Sequence, residues 1–155
     1  MKLLMLALAA LVFGAASVHA DEEDQAITTL QRMVECQAVE LSLMQMYNSM
    51  AASIDALSPQ PPAQLEKLRD SYRMLAETHE TEIHAFAEVA KRKLLPQFEP
   101  AIQEHYAEEL AKSFVVIQRA LNLGEYEKQK QMQRQLLSTS QQCETLLHEL
   151  TDSTT

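Results

Sequence analysis

From residue 24 to residue 150 the chain repeats apolar side chains at the three- and four-residue spacing of helices packed side by side. In the first such stretch Cys36, Leu43, Met50 and Leu57 recur every seven residues, with Val39 and Met46 between them. Tyr47 and Ile54 widen the stripe, which predicts a bundled helix from Asp24 to Leu57. Ser58-Pro59-Gln60-Pro61-Pro62 ends it, because proline cannot continue a helix but can begin one. A second helix is predicted from Pro62 to Leu95, with Leu65, Leu68, Tyr72, Leu75, His79, Phe86 and Val89 facing inward. Pro96 and Pro100 bracket the next turn. A third helix then runs to Leu123, with Ile102, Tyr106, Leu110, Ile117 and Ala120 inward and His105 and Glu109 on the same side. Gly124 follows where a left-handed helix cap is expected. The fourth helix is predicted from Glu125 to Leu150, with Met132, Leu136, Cys143, Leu147 and Leu150 inward.

Long helices joined by short turns make antiparallel neighbours. The expected fold is therefore all-α, an up-down-up-down four-helix bundle in one domain over residues 21–150, with a polar tail over residues 151–155. Neither an internal repeat nor the period-two pattern of strands is visible.

The first twenty residues read differently. Lys2, the apolar run Leu3 to Phe13 and the small residues of Val18-His19-Ala20 form a signal peptide, with cleavage expected after Ala20 and an acidic start at Asp21. The apolar run falls short of the ~20 residues that span a bilayer, and no cysteine follows it to carry a lipid. A periplasmic or secreted location follows. No later segment is apolar enough to be an integral membrane span.

Charge narrows the partners. The chain has 13 basic and 22 acidic residues and a net charge of −9, which argues against nucleic acid and anionic membrane surfaces. Lys91-Arg92-Lys93 is its one basic cluster, placed where a helix C-terminus favours cations. The only two cysteines, Cys36 and Cys143, match no zinc, redox or haem-attachment spacing. In an exported chain they are expected to form a disulfide between the first and last helices.

The chemistry concentrates in Leu75-Ala76-Glu77-Thr78-His79-Glu80-Thr81-Glu82-Ile83-His84-Ala85-Phe86. At about 100° per residue, His79 lies at the centre of the apolar face and Glu82 one turn along its edge. Glu77, Glu80, His84 and Glu88 fall on the solvated face. Glu40 points inward from the first helix, and counting from the first turn sets it level with residue 81. Glu109 comes within two turns of His79, with His105 about one turn beyond. Buried ionisable groups need a partner or a ligand. Glu40, His79, Glu82, His105 and Glu109 are thus candidate ligands for zinc, iron or manganese. A hydrogen-bonded network without metal, Glu40 to His79 and Glu109 to His105 or a tyrosine, is the reading these residues favour.

Family signatures are sparse. The Glu-x-x-His pairs of di-metal bundles are missing, since Ala76, Thr81, Ile102 and Thr145 stand three residues before the internal histidines. The methionines form no Met-x-x-Met cluster and read as core filling. No phosphate loop, Gly-x-Ser-x-Gly or His-Glu-x-x-His occurs. The signal peptide, the four helices and Ala120-Leu121-Asn122-Leu123-Gly124 before the last helix resemble the periplasmic cytochrome b562 group in layout. That resemblance implies a haem held by a methionine early in helix one and a histidine late in helix four. Here Ala26 and Ile27 stand near the first place, and His148 points away from the Cys143–Leu147–Leu150 stripe, so haem is not expected. The expectation is an exported, non-enzymatic bundle that binds an unknown protein or small ligand, with a metal-binding bundle as the competing class. The glutamine-rich outer face from Gln129 to Gln142 reads as a solvated face, with a partner surface as the alternative.

Overall fold

The computed structural model describes residues 20–58, 60–122 and 126–152. These form four long helices: α1 (Ala20–Leu57), α2 (Ala63–Val89), α3 (Pro100–Asn122) and α4 (Tyr126–Asp152). No strand occurs among the described residues. The leader, apart from Ala20, and Gly124 lie outside them.

The turns follow their prolines. Pro62 caps α2 with extended geometry, and its carbonyl accepts the first helical hydrogen bond from the Glu66 N–H at 3.0 Å. At the other end the α-pattern stops at Val89, six residues before the predicted Leu95. One π-turn over Ala90–Leu94 and a 3₁₀ turn over Leu95–Gln97 complete it. Pro96 has no N–H to offer an α-helical ladder, so the backbone re-pairs around it. The Phe98 N–H donates to the Leu95 carbonyl at 3.0 Å, and the Gln103 amide donates to Leu95 and Phe98 carbonyls, both at 3.0 Å. Phe98 is thereby buried against the end of the core.

Helix α1 is the axis of the molecule. It packs against α2 most extensively and also against α3 and α4, whereas α3 packs on α1 and α4 rather than on its sequence neighbour α2. Surrounded in this way, α1 buries Cys36, Gln37, Ala38, Val39 and Glu40 in succession, with no solvated face at that height. Along α1 and α2 the contacts run in opposite order. Gln37 reaches Ile83, Glu40 reaches His79, Tyr47 stacks with Tyr72, and Asp55 pairs with Arg69 and Arg73. Two apolar clusters fill the interior. The larger gathers Leu30, Met33, Phe86, Leu94, Phe98 and Leu146. The smaller holds Val39, Leu43 and Leu136, with Ile117 and Met132 packed on it.

Helix α2 buries His79, Phe86 and Val89 as predicted but departs from the predicted phase in its first half. Leu68 and Leu75 were expected inward but are 42% and 36% exposed. The buried line passes instead through Ala76, His79, Phe86, Val89 and Ala90. In that half the buried stripe lies one position round, with Ala76 in the place expected for Leu75. The Cys36 and Cys143 sulfurs are 2.10 Å apart, at disulfide distance, where α4 crosses α1.

Candidate metal centre

One helical turn beyond Cys36 on α1, the Glu40 side chain enters the interface with α2 and is only 1% exposed. His79 meets it from α2 at 9% exposure. Its Nδ1 lies 2.5 Å from Glu40 Oε2. Glu82, one turn further on α2 and 24% exposed, brings its Oε2 to 3.5 Å from the same nitrogen. The three donor groups lie within 4.8 Å of one another. Glu40 Oε1 is buried and has no hydrogen-bond partner. Tyr47 lies parallel to the imidazole, with ring centroids 5.6 Å apart and planes 5° apart, and Tyr72 stacks on Tyr47 at 6.1 Å. This column fixes the ring plane and covers one of its faces.

Each charge in the group depends on the others. Burial pushes the Glu40 carboxyl up, but the hydrogen bond and positive charge of His79, with smaller help from the nearby polar groups of Glu82 and Ser140, outweigh it and hold the pKa below 4.5. Burial opposes the His79 imidazolium, yet the hydrogen bond and charge of Glu40, helped by Glu82, keep its pKa above 6.5. Glu82 is raised to about 7 by burial and by the neighbouring Glu40 carboxylate. Two carboxylates facing one imidazole cannot both ionise freely, so the trio retains protons near neutrality.

The geometry suits a small divalent ion. Two ligand atoms on a tetrahedral zinc, each at about 2.0–2.1 Å, sit about 3.3 Å apart. His79 and Glu82 already have that separation, and the Glu40–His79 contact needs to open by only about 0.8 Å. Three protein ligands leave a coordination position for water or substrate.

His105 and Glu109 do not join this group. His105 Nε2 faces Glu109 Oε1 at 3.6 Å on α3, and Lys112 holds the same oxygen at 2.8 Å. Tyr106 meets Gln37 on α1, so Glu109, three residues on, has the height of Glu40. Its rotation about α3 turns it elsewhere. The expected five-residue set is therefore two separate groups. His148, at the place a b562-type haem ligand would take, is 74% exposed and pairs with Asp152 at 2.8 Å.

The sequence reading passed over Gln37. It is buried, its amide donates to the Ile83 carbonyl at 3.4 Å, and it accepts a hydrogen bond from the Tyr106 hydroxyl. Burial pushes that hydroxyl up to about 12, so it stays a donor. This second polar rung lies one turn from Glu40. Its one sequence signal is its place between the inward-facing Cys36 and Val39, one turn before Glu40.

No protein-family model matches the chain, and no curated protein or solved structure matches it. Function must be argued from the site itself.

Proposed function

We propose that this chain is an exported helical bundle that binds a divalent transition-metal ion, zinc, iron or manganese, through Glu40, His79 and Glu82. The observation that carries the reading is the convergence of one imidazole and two carboxylates, Glu40 and His79 buried and Glu82 partly so, with the buried Glu40 Oε1 unpartnered. A fully buried carboxylate oxygen without a donor is unfavourable by about 1–3 kcal/mol, more when charged, and a cation relieves it. Imidazole nitrogen and carboxylate oxygen suit these ions and disfavour the thiolate-selective ones. Export is the reading of the Lys2–Ala20 leader, and a cysteine pair at disulfide distance fits an oxidising compartment. No described helix is long and apolar enough to cross a membrane.

The test is a set of melting curves for wild type and His79→Leu with Zn²⁺, Mn²⁺ and Fe²⁺. An ion that binds the native state raises stability by RT ln(1 + [L]/Kd), about 2.7 kcal/mol at a hundred-fold excess over Kd. Wild type should shift upward and His79→Leu should not. A wild type unmoved by every ion removes the metal reading, and a shift that persists in His79→Leu moves the site elsewhere.

A second reading, an interaction protein with a purely structural Glu40–His79 pair, is favoured by the 2.5 Å bond between them. Val116, 62% exposed on α3, and the open groove of Leu41, Met44 and Phe114 would then be the contact surface. Absence of any metal response leaves this reading in place.

A further inference from the structure

Beside α3, helix α1 carries an open groove of about 370 Å³ lined by Leu41, Met44, Gln45, Asn48, Ala52 and Phe114. On α1 these residues recur at three- and four-residue spacing and so share one face. On α3, Ala107 and Ala111 stand seven and three residues before Phe114, and Val115 follows Ala111 by four, which puts them on the same side of that helix. Both alanines are exposed, and Val115 is 44% exposed. The two helices run in the same direction. Gln37 on α1 meets Tyr106 on α3, and eight residues further along each helix Gln45 and Phe114 line the groove together. The face they form lacks charge. Between Glu40 and Asp55 α1 has no charged residue, and between Lys112 and Arg119 neither has α3, in a chain whose net charge is −9.

We propose that this face docks on the same face of a second copy of the chain, α1 and α3 of one protomer against α1 and α3 of its partner about a two-fold axis. This rests on the interaction reading of the same groove and needs no metal. A two-fold contact sets one surface patch against itself. A charged patch would there meet its own sign, and with −9 on each copy most pairings of surface repel. The α1–α3 face is free of that penalty, and the centres of protein interfaces are likewise depleted in charge. A basic partner would be steered by carboxylates, and this stretch of α1 and α3 offers none. The relief also suits self-association. Val115 projects beside a groove that this chain leaves open, so a two-fold gives each copy a ridge for the other's groove. Ala107 and Ala111 keep the α3 ridge low, which lets the opposed helices approach. The groove-lining stretch of α1, Leu41 to Ala52, is about 18 Å long at the α-helical rise. Such a patch is at the small end of specific interfaces, so the dimer forms at raised concentration.

The experiment is sedimentation equilibrium of the purified, metal-free protein over a wide concentration range, at low and at high NaCl. Wild type is run beside Ala111→Glu, Ala52→Glu and Ala87→Glu, with circular dichroism confirming equal helicity. Ala87 is exposed on α2 and does not line the groove, so its variant makes the same charge change away from the face. Wild type should rise from the mass of one copy to that of two as concentration increases. The dimer should tighten several-fold in high salt, which screens the repulsion between two acidic copies. Ala87→Glu should follow wild type, and the two groove variants should stay monomeric over the same range. Two substitutions on different helices keep the test valid if one of them unfolds. Monomeric wild type at every concentration overturns the second copy as the partner. So does a dimer that survives both groove variants, or one that loosens in salt, because its contact would then lie on another surface. A mass that grows beyond two copies also overturns it, since a two-fold contact closes. The metal and interaction readings are decided separately by the melting curves, which these runs leave untouched.

Discussion

At the residue scale the molecule turns on one buried charge pair and its third member. Removing one partner of a buried pair typically costs about 3–5 kcal/mol, whereas replacing both by apolar groups of similar size is near neutral or stabilising. Glu40→Leu leaves His79 with Glu82 as its remaining carboxylate. His79→Leu leaves a fully buried Glu40 that must take up a proton. Each single variant should therefore lose more stability to chemical denaturation than the Glu40→Leu/His79→Leu double variant. A double variant whose loss equals the sum of the singles would show that the two side chains do not interact. The same trio predicts the pH dependence without metal. Glu82, raised from 4.5 to about 7, weakens the fold as pH climbs through that interval. His79, raised above 6.5, contributes its full stabilisation at low pH and loses it as pH rises through its folded value. Glu40, lowered below 4.5, contributes above that value and is lost in acid. Stability should then peak at about pH 5 and fall toward pH 8, with Glu82 contributing on the order of 1–2 kcal/mol after solvent screening. A Glu82→Gln variant should flatten the fall; a wild-type profile that rises over that interval contradicts the charge assignment.

At the element scale, the helices were legible because proline and heptad signals agree, and the errors were errors of rotation. Counting residues from a turn gives height along a helix, and Glu40 does stand beside His79 and Glu82. Height says nothing about azimuth. Glu109 reaches the level of Glu40 yet faces His105 and Lys112. Leu75 yields its inward place to Ala76 because packing against α1 selects the stripe, not the size of the side chain. The π-turn after Val89 was not legible either. It follows from how the Pro96 defect is absorbed, and that depends on Phe98 finding a place in the core. The link between α1 and α4 has its own consequence. The Cys36–Cys143 pair closes a sequence separation of 107 residues, which on the chain-entropy model stabilises by about 4–5 kcal/mol. Reduction should lower the melting temperature by roughly 10–15 °C while the helical circular dichroism at room temperature persists, since both apolar clusters remain. An unchanged melting temperature after verified reduction would count against a bridge that restrains the unfolded chain.

At the scale of the whole molecule, metal binding and folding are one equilibrium. The packing of α1 on α2 brings Glu40 together with His79 and Glu82 from positions 39 and 42 residues further along the chain, a constellation the unfolded chain lacks, so binding energy at this site is folding energy. The net charge of −9 adds a general attraction for cations. The ligands must lose their protons to bind, and two of the three hold protons near neutrality. Stabilisation by metal should therefore grow as pH rises from about 5.5 to about 7.5. That slope is opposite in sign to the decline expected for the metal-free chain over the same interval. Thermal melts at fixed Zn²⁺ excess across this range, each paired with a metal-free melt, separate the two trends. The difference between paired melting temperatures should be small at the acid end and largest at the basic end. A difference that is independent of pH would mean that the ion binds surface carboxylates already ionised throughout the range, and Glu40, His79 and Glu82 would then be a structural network alone.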